Sequence, residues 1–314
     1  MPENENKETI GEGNGNSYHI PVLLNESIDA LNINPSGIYV DCTFGGGGHA
    51  RAILSRLNEQ GRLYAFDQDE DARKNVPADA RLIFIPHNFR HLKRFLRLHK
   101  VANVDGILAD LGVSSHQFNE PSRGFSIRFD APLDMRMDKS SEKTAADILR
   151  ETSATDLQYI FQEYGEVTNS KTLARLLTDH TKHAPIKTIN DLKAVASSVV
   201  KGNPNRYFAQ VFQALRMAVN EETASLDDLL VQAAEVIKPG GRMVVITFHS
   251  IEDRIVKNFF RQGNQQDIVS DPIYGIKSES PFDSLNKKPI EPSDEEVKRN
   301  PRSRSARMRV GVKK

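Results

Sequence analysis

The chain has 314 residues, 38% of them hydrophobic, with 42 basic and 42 acidic side chains and no net charge. That length fits one large or two ordinary domains, and the low apolar share suits a packed domain carrying polar appendages. No run is long and apolar enough to span a membrane and no signal peptide is visible. The lone cysteine, Cys42, excludes an internal disulfide and a cysteine zinc site, so the expected compartment is the cytosol.

Residues 1–16 are rich in Glu, Asn and Gly and are expected to be a disordered tail. From Tyr18 the text becomes ordered, and Leu24, Ile28 and Leu31 fall on one helical face. His19 precedes that helix and either reaches a ligand site or serves as a surface or capping residue. Gly37-Ile-Tyr-Val-Asp41 is a short apolar run ending in a carboxylate, followed by four glycines and a helical pattern from His49 to Leu57. Strand, glycine turn and helix are the first β-α unit of a doubly wound, Rossmann-like α/β sheet. Cys42, in the turn, reads as a small packing residue. Gly61-Arg-Leu-Tyr-Ala-Phe-Asp67 is a second strand, again ending in an acid. Asp67 lies about twenty residues past the glycines, where an acid meets ribose hydroxyls.

Those features point to a nucleoside-containing ligand at the strand ends. A dinucleotide site wants a third spaced glycine and a pyrophosphate over the helix start, whereas Asp41 would repel phosphate and suits a cation. No G-K-[ST] is present, so this is not a P-loop. S-adenosylmethionine, with a sulfonium, an amino group and ribose hydroxyls but no phosphate, matches.

Asp69 to Lys74 reads as a second helix and Arg81 to Pro86 as a third strand, after which Phe89 either covers an adenine ring or belongs to the core. Arg81 to Lys100 holds six Arg or Lys and no acid, a basic stretch facing nucleic acid or solvent. Val104 to Asp110 is strand four. Amino-group methyltransferases bring acceptor and methyl donor together at that strand end, many with Asp-Pro-Pro-Tyr. Asp110-Leu-Gly-Val has no such aromatic, so a stacking residue must come from elsewhere.

From Phe125 to Val219 the strand-like runs vanish. Ala145 to Leu149, Thr155 to Tyr164, Lys171 to His180 and Ile189 to Val200 read as amphipathic helices, with caps at Ser153 and Thr188. This stretch is expected to be an inserted helical domain, 125–216, within a methyltransferase domain formed by 17–124 and 217–314. Arg206 to Asn220 and Glu221 to Ile237 are long helices, and Lys238 to His249 is a Pro-Gly-Gly turn into a buried strand. In the helix from Ser250 to Phe260, Glu252 and Asp253 suit the dipole of its first turn. Gln262 to Glu296 reads mostly as loop. The acid-free tail from Lys298 to Val310 carries alternating arginines that contact phosphate or remain solvated, with Arg307 to Val310 as a final edge strand.

Several segments together resemble the bacterial ribosomal-RNA small-subunit methyltransferase H family, which methylates N4 of a cytidine in 16S ribosomal RNA, in the decoding region. They include His19-Ile-Pro-Val-Leu-Leu, Asp41-Cys-Thr-Phe-Gly-Gly-Gly-Gly-His49, Asp110-Leu-Gly-Val-Ser-Ser, Arg123-Gly-Phe-Ser, Pro132-Leu-Asp-Met-Arg-Met-Asp138, Ser250-Ile-Glu-Asp-Arg-Ile-Val-Lys257 and Asn300-Pro-Arg-Ser-Arg-Ser. The resemblance implies S-adenosylmethionine contacts at Gly47, Gly48, His49, Asp67, Phe89, Asp110 and Gln117. Spacing alone had pointed to the glycine pair, Asp67 and Phe89; His49, Gln117 and the ligand role of Asp110 come from the resemblance.

For the chemistry, Asp110 or the carbonyls of Leu111 and Gly112 are placed to accept hydrogen bonds from the cytosine amine. Ser114, Ser115 and His249 are candidates for holding the base, and no metal is required. The expected partner is small-subunit ribosomal RNA or the 30S particle, with no membrane, and the protein is a monomer or a homodimer. Two other readings stand beside this one. A non-catalytic assembly or division factor would use the cofactor only for shape. An NAD-dependent oxidoreductase conflicts with Asp41.

Overall fold

The computed structural model describes residues 21–264, 269–271, 275–277 and 279–314; the tail at 1–16 and His19 lie outside them. Strands β1 (Ile38–Asp41), β2 (Arg62–Phe66), β3 (Leu82–Ile85), β4 (Val104–Asp110) and β5 (Ile237–Thr247) pair in parallel. β6 (Val269–Asp271) and β7 (Gly275–Lys277) form a separate antiparallel pair. β8 (Phe282–Ser284) and β9 (Arg307–Lys313) complete a seven-stranded sheet of order β3-β2-β1-β4-β5-β9-β8, with β9 antiparallel to both neighbours. The order reverses between β1 and β4, and a ligand crevice opens at the carboxyl ends of the strands flanking such a switch point.

Helices α1 (Leu24–Leu31), α2 (Gly48–Leu54), α3 (Leu92–Leu98) and α4 (Ser115–Asn119) belong to the first half of the chain. Then come α5 (Ala145–Glu151), α6 (Ala154–Glu163), α7 (Ser170–Thr181), α8 (Ile189–Ala196) and α9 (Pro204–Val219) without an intervening strand. α10 (Glu222–Val236), α11 (Ser250–Gln262) and α12 (Asp294–Arg299) return to the sheet.

Side-chain alternation along the strands divides the core between the two sheet faces. Val40 and Ile107 pack with Leu96 of α3, Leu230 of α10 and Val256 of α11, whereas Tyr39 and Leu108 pack with Ile28 of α1 and Ile53 of α2. A third apolar cluster runs from Phe125 to Leu215 and includes Leu149, Phe161, Leu177 and Leu192 from the consecutive helices. Local signals account for these helices. Thr144 and Thr188 form capping boxes with Asp147 and Asp191, and Ser153 accepts the Asp156 N–H.

Three readings of local pattern change in the fold. The stretch after β2 is a 3-10 turn, Glu70–Asn75, rather than an α-helix: the Asp69 side chain caps it, and Pro77 follows too soon for a longer helix. Arg307 to Val310 is no edge; β9 lies between β5 and β8, with Met308 and Val310 buried. Within 262–296, the described residues hold the β6–β7 pair, β8, which is the edge of the large sheet, and the start of α12.

Candidate active site

The turn after β1 shows why glycines are needed there. Gly47 sits at φ 73°, and a Cβ on it would lie 2.8 Å from the Phe44 ring; one on Gly48 would lie 2.1 Å from Pro21 Cγ. Both glycines therefore answer to the protein's own packing. Gly45 and Gly46 carry the ligand side of the turn and line a cavity of about 1150 Å³. A single small-molecule site typically takes roughly 300–1,000 Å³, so this cavity has room for a nucleoside cofactor and a second group.

Of the residues expected at the site, Gly48, His49, Asp67, Phe89, Asp110, Ser114 and Gln117 line the cavity. Gly47 lies behind its wall, and Ser115 falls in α4 with its side chain outside what the structure describes. His249 borders a neighbouring recess with Ser250, Arg304 and Arg307.

Asp67 braces the glycine turn: Oδ2 accepts the Gly45 N–H at 2.7 Å and Oδ1 accepts the Asp69 N–H at 2.8 Å. Each oxygen keeps a second lone pair for a ribose hydroxyl. Asp41 is buried; Oδ1 accepts the Thr43 N–H at 3.0 Å and Oδ2 has no hydrogen-bond partner. Burial foremost, then the nearby Asp67, pushes the Asp41 carboxyl up to about 7. Burial likewise pushes Asp67 up to about 6, against the two N–H bonds that pull it down. At the end of β4, Asp110 Oδ1 is also buried without a partner, and burial, Asp41 and Glu252 hold this carboxyl well above its usual range.

Asp67 and Asp110 line the cavity, and Asp41, buried behind its wall, repels each of them; such a set fits a cationic ligand. A sulfonium and an ammonium group would relieve the repulsion, and a pyrophosphate would add to it. The contacts of His49 fix one ring proton. Nε2 lies 3.2 Å from the Val22 carbonyl oxygen, which only accepts, so Nε2 carries a proton, and Nδ1 lies 3.7 Å from Asp110 Oδ2.

Gln117 is held from both sides: Nε2 donates to Asp69 Oδ2 at 2.8 Å, and Oε1 accepts the Ser114 N–H at 3.0 Å in a capping box that fixes α4. The Ser114 hydroxyl serves that same cap by accepting the Gln117 N–H. Asp69, which sequence reasoning passed over, is the hub of this wall. It also accepts Arg123 Nη1 at 2.8 Å, while Arg123 Nη2 donates to the carbonyls of Arg136 and Met137 at 3.0 Å each. Asn220, at the end of α9, accepts the Met137 N–H at 2.7 Å and donates to the Met135 carbonyl at 2.8 Å. The motifs around Arg123 and Pro132 to Asp138 thus clamp the long helical stretch to the cavity wall. Their presence among the motifs of the resemblance was the one available signal.

Glu252 and Asp253 do more than complement a helix dipole. Glu252 lines the cavity and Oε2 accepts the Phe248 N–H at 2.9 Å; Asp253 is buried and binds Arg309 of β9 at 2.6 and 3.1 Å. His249 caps α11, its Nδ1 accepting the Glu252 N–H at 3.4 Å, while its buried Nε2 lies 3.1 Å from Glu252 Oε1 outside hydrogen-bond geometry. Glu222, His249 and Glu252 bring ligand-type atoms within 4.8 Å of one another, but Arg216 occupies Glu222 at 2.8 and 2.9 Å and the His249 lone pair is taken. Burial pushes Glu252 up, yet His249 and Arg216 outweigh it and hold it below its usual value. The chemistry of this set is an internal charge network rather than a cation site.

The basic stretch from Arg81 to Lys100 is partly spent within the protein. Arg81 pairs with Asp79, Arg90 with Glu221 and Asp228, and Lys93 with Glu235. In the tail, Arg309 is buried against Asp253, while Arg302 and Ser305 line the cavity mouth.

A glycine turn, strand-end acids and a switch-point crevice on a seven-stranded sheet with one antiparallel strand inserted define a Rossmann-like, class I methyltransferase fold. Residues 16–314 match the MraW methylase family. The chain is 53% identical over 296 residues to the ribosomal RNA small subunit methyltransferase H of Cytophaga hutchinsonii, covering 93% of this chain and 98% of that one. It is 50% identical over 298 residues to the protein of the same name from Parabacteroides distasonis, covering 94% and 97%. The Bacteroides fragilis protein, also so named, is 49% identical over 299 residues, covering 95% and 98%. The chain belongs to the MraW methylase family, and its cofactor is S-adenosylmethionine.

Proposed function

We propose that this protein transfers the methyl group of S-adenosylmethionine to N4 of a cytidine in the decoding region of 16S ribosomal RNA. The observation that carries the reading is Asp110 Oδ1, a buried acceptor without a partner at the end of β4, on the cavity wall shared with the glycine turn. The names of the relatives support a small-subunit ribosomal RNA as substrate. In this reading Asp67 receives ribose hydroxyls, Phe89 covers the adenine, and Asp110, with Asp41 buried behind the wall, lies toward the cationic end of the cofactor. When bound, the cofactor supplies an electrophilic methyl carbon on a sulfonium whose sulfur keeps the electron pair as the bond breaks.

The chain's own residues have a narrower task. The lone pair of an exocyclic amine is delocalised into its ring, so the amine must be oriented and its hydrogens accepted. Asp110 Oδ1 accepts one of them, the carbonyls of Leu111 and Gly112 offer further acceptors, and the proton shed by nitrogen passes to Asp110. Ser114 contributes by holding α4. A stacked base cannot enter such a cavity, so the target nucleotide flips out.

Nucleoside mapping of 16S ribosomal RNA, isolated with and without this protein and then treated with protein and cofactor, tests the proposal. An N4-methylcytidine that appears only with the protein is expected. Tight cofactor binding with no new modified nucleoside on free RNA or 30S particles would favour a non-catalytic assembly factor.

A further inference from the structure

The strand-four turn that must receive the base, Asp110-Leu-Gly-Val, carries no aromatic ring. Four phenylalanines line the cavity: Phe44, Phe89, Phe118 and Phe248. Phe44 is buried and meets Phe84 edge-on, its ring centroid 5.4 Å away. Phe89 stands at the end of β3, on the cofactor side. Phe248 packs over Gly112, where an added Cβ would lie 3.5 Å from its ring. Phe118 differs from the other three. It sits eight residues past Asp110 on α4, and its face is covered by the guanidinium of Arg302 from the far end of the chain, 4.7 Å from the ring centroid. Arg302 Nη2 also donates to Asn119 Oδ1 at 2.6 Å.

The support beneath Phe118 is rigid. Ser114 and Gln117 lock α4 in a capping box, and Gln117 is in turn bonded to Asp69. Arg302, by contrast, is exposed and lies near the exposed Arg128, close enough that the two cations repel. An aromatic face on a braced element, topped by an arginine beside a second arginine, has the composition of a nucleotide stacking platform.

We propose that Phe118 is the surface on which the flipped pyrimidine stacks, and that Arg302 covers it until RNA arrives and then moves onto the phosphate of that nucleotide. A guanidinium 4.7 Å from the centroid leaves no room for a base between, so cover and base alternate on one face. This assignment rests on the reading of the substrate as a cytidine in RNA.

The test uses full-length protein and a small-subunit RNA bearing pyrrolocytidine at the target position for fluorescence, with cytidine there for kinetics. Phe118→Leu keeps the apolar bulk and loses the π face, so its kcat/KM for RNA should fall about 10- to 100-fold, the range for one lost base–aromatic stack. Cofactor affinity and melting temperature should stay at wild-type values. Phe118→Trp should restore activity to within a few-fold and retain the fluorescence quench that Phe118→Leu loses. Arg302→Ala should reduce the log–log salt slope of RNA affinity by about one unit.

Wild-type activity and an unchanged quench in Phe118→Leu would overturn the platform while leaving the proposed reaction intact. A loss that Phe118→Trp does not rescue would assign Phe118 to packing and also overturn it. If wild-type protein methylates no cytidine, the substrate reading fails and the platform with it.

Discussion

Cofactor binding should be linked to proton release, because carboxyls on the cavity wall and the one buried behind it are held partly neutral in the free protein. Asp41 stands near 7 and Asp67 near 6, both raised by burial. A raised carboxyl binds protons in the free folded state, and a positive charge brought into the adjoining cavity favours their release. Affinity should therefore rise as pH rises through these values. If only ionised forms bind, moving from pH 5.5 to 7.5 tightens binding about 25-fold through Asp41 and about 4-fold through Asp67, roughly 100-fold together. Asp110, also raised by burial, acts in the same direction.

Titration calorimetry at pH 6.5 in two buffers of different ionisation enthalpy should show about one proton released per cofactor bound from Asp41 and Asp67 together, and more if Asp110 also ionises. Asp41→Asn should remove its share of the pH dependence and weaken binding at pH 7.5. The free protein gives the opposite sign. Between about pH 4 and 7 the folded state holds more protons at Asp41 than the unfolded chain, so this group's contribution to stability falls as pH rises. Its shift of about 3 units corresponds to roughly 4 kcal/mol at most, so free Asp41→Asn should melt higher than wild type at pH 7.5 and about equally at pH 4. Buffer-independent heats, with a dissociation constant that changes less than about threefold over pH 5.5–7.5, would refute the linkage.

Asp67→Ala removes the acceptor for the Gly45 and Asp69 N–H groups as well as for ribose, and should weaken cofactor binding by about 1.5–3 kcal/mol, measured by calorimetry. Asp110→Asn replaces an acceptor by an NH₂ donor and should slow single-turnover methyl transfer by about 10²–10³-fold at saturating cofactor, with a much smaller change in affinity. Recovery of the rate at saturating cofactor would instead make Asp110 a cofactor ligand and leave amine recognition to the Leu111 and Gly112 carbonyls. Truncation after Ser305 should abolish cooperative thermal unfolding, because it removes β9 from between β5 and β8 together with the buried Arg309–Asp253 pair. Arg304→Ala, exposed beside the neighbouring recess, should leave melting unchanged and reduce the salt slope of RNA affinity by about one unit.

What the sequence by itself determined are the features written in neighbouring residues. The glycine turn, the acids that end β1, β2 and β4, and the caps of α6 and α8 each depend on contacts within a few positions. Their chemistry is readable without a fold: a carboxylate where a pyrophosphate would sit already argues for a cationic nucleoside. The change to helical periodicity after Phe125 was legible for the same reason.

Only the tertiary structure decided which charges remain available and what each acid faces. Arg90 meets Asp228 from 138 positions away, so a stretch that reads as uniformly basic is partly neutralised by α10. Arg309 reads as a tail cation but is buried against Asp253, and the strand that carries it lies inside the sheet. His249, placed near the base by order along the chain, turns its ring to the cap of α11. Asp69 and Arg123 meet across 54 positions, and Phe118 and Arg302 across most of the molecule. Local pattern sets backbone conformation because hydrogen bonds and rotamer limits act over a few residues. Burial, pairing and the raised carboxyls at the cavity arise only once distant segments exclude water from one another.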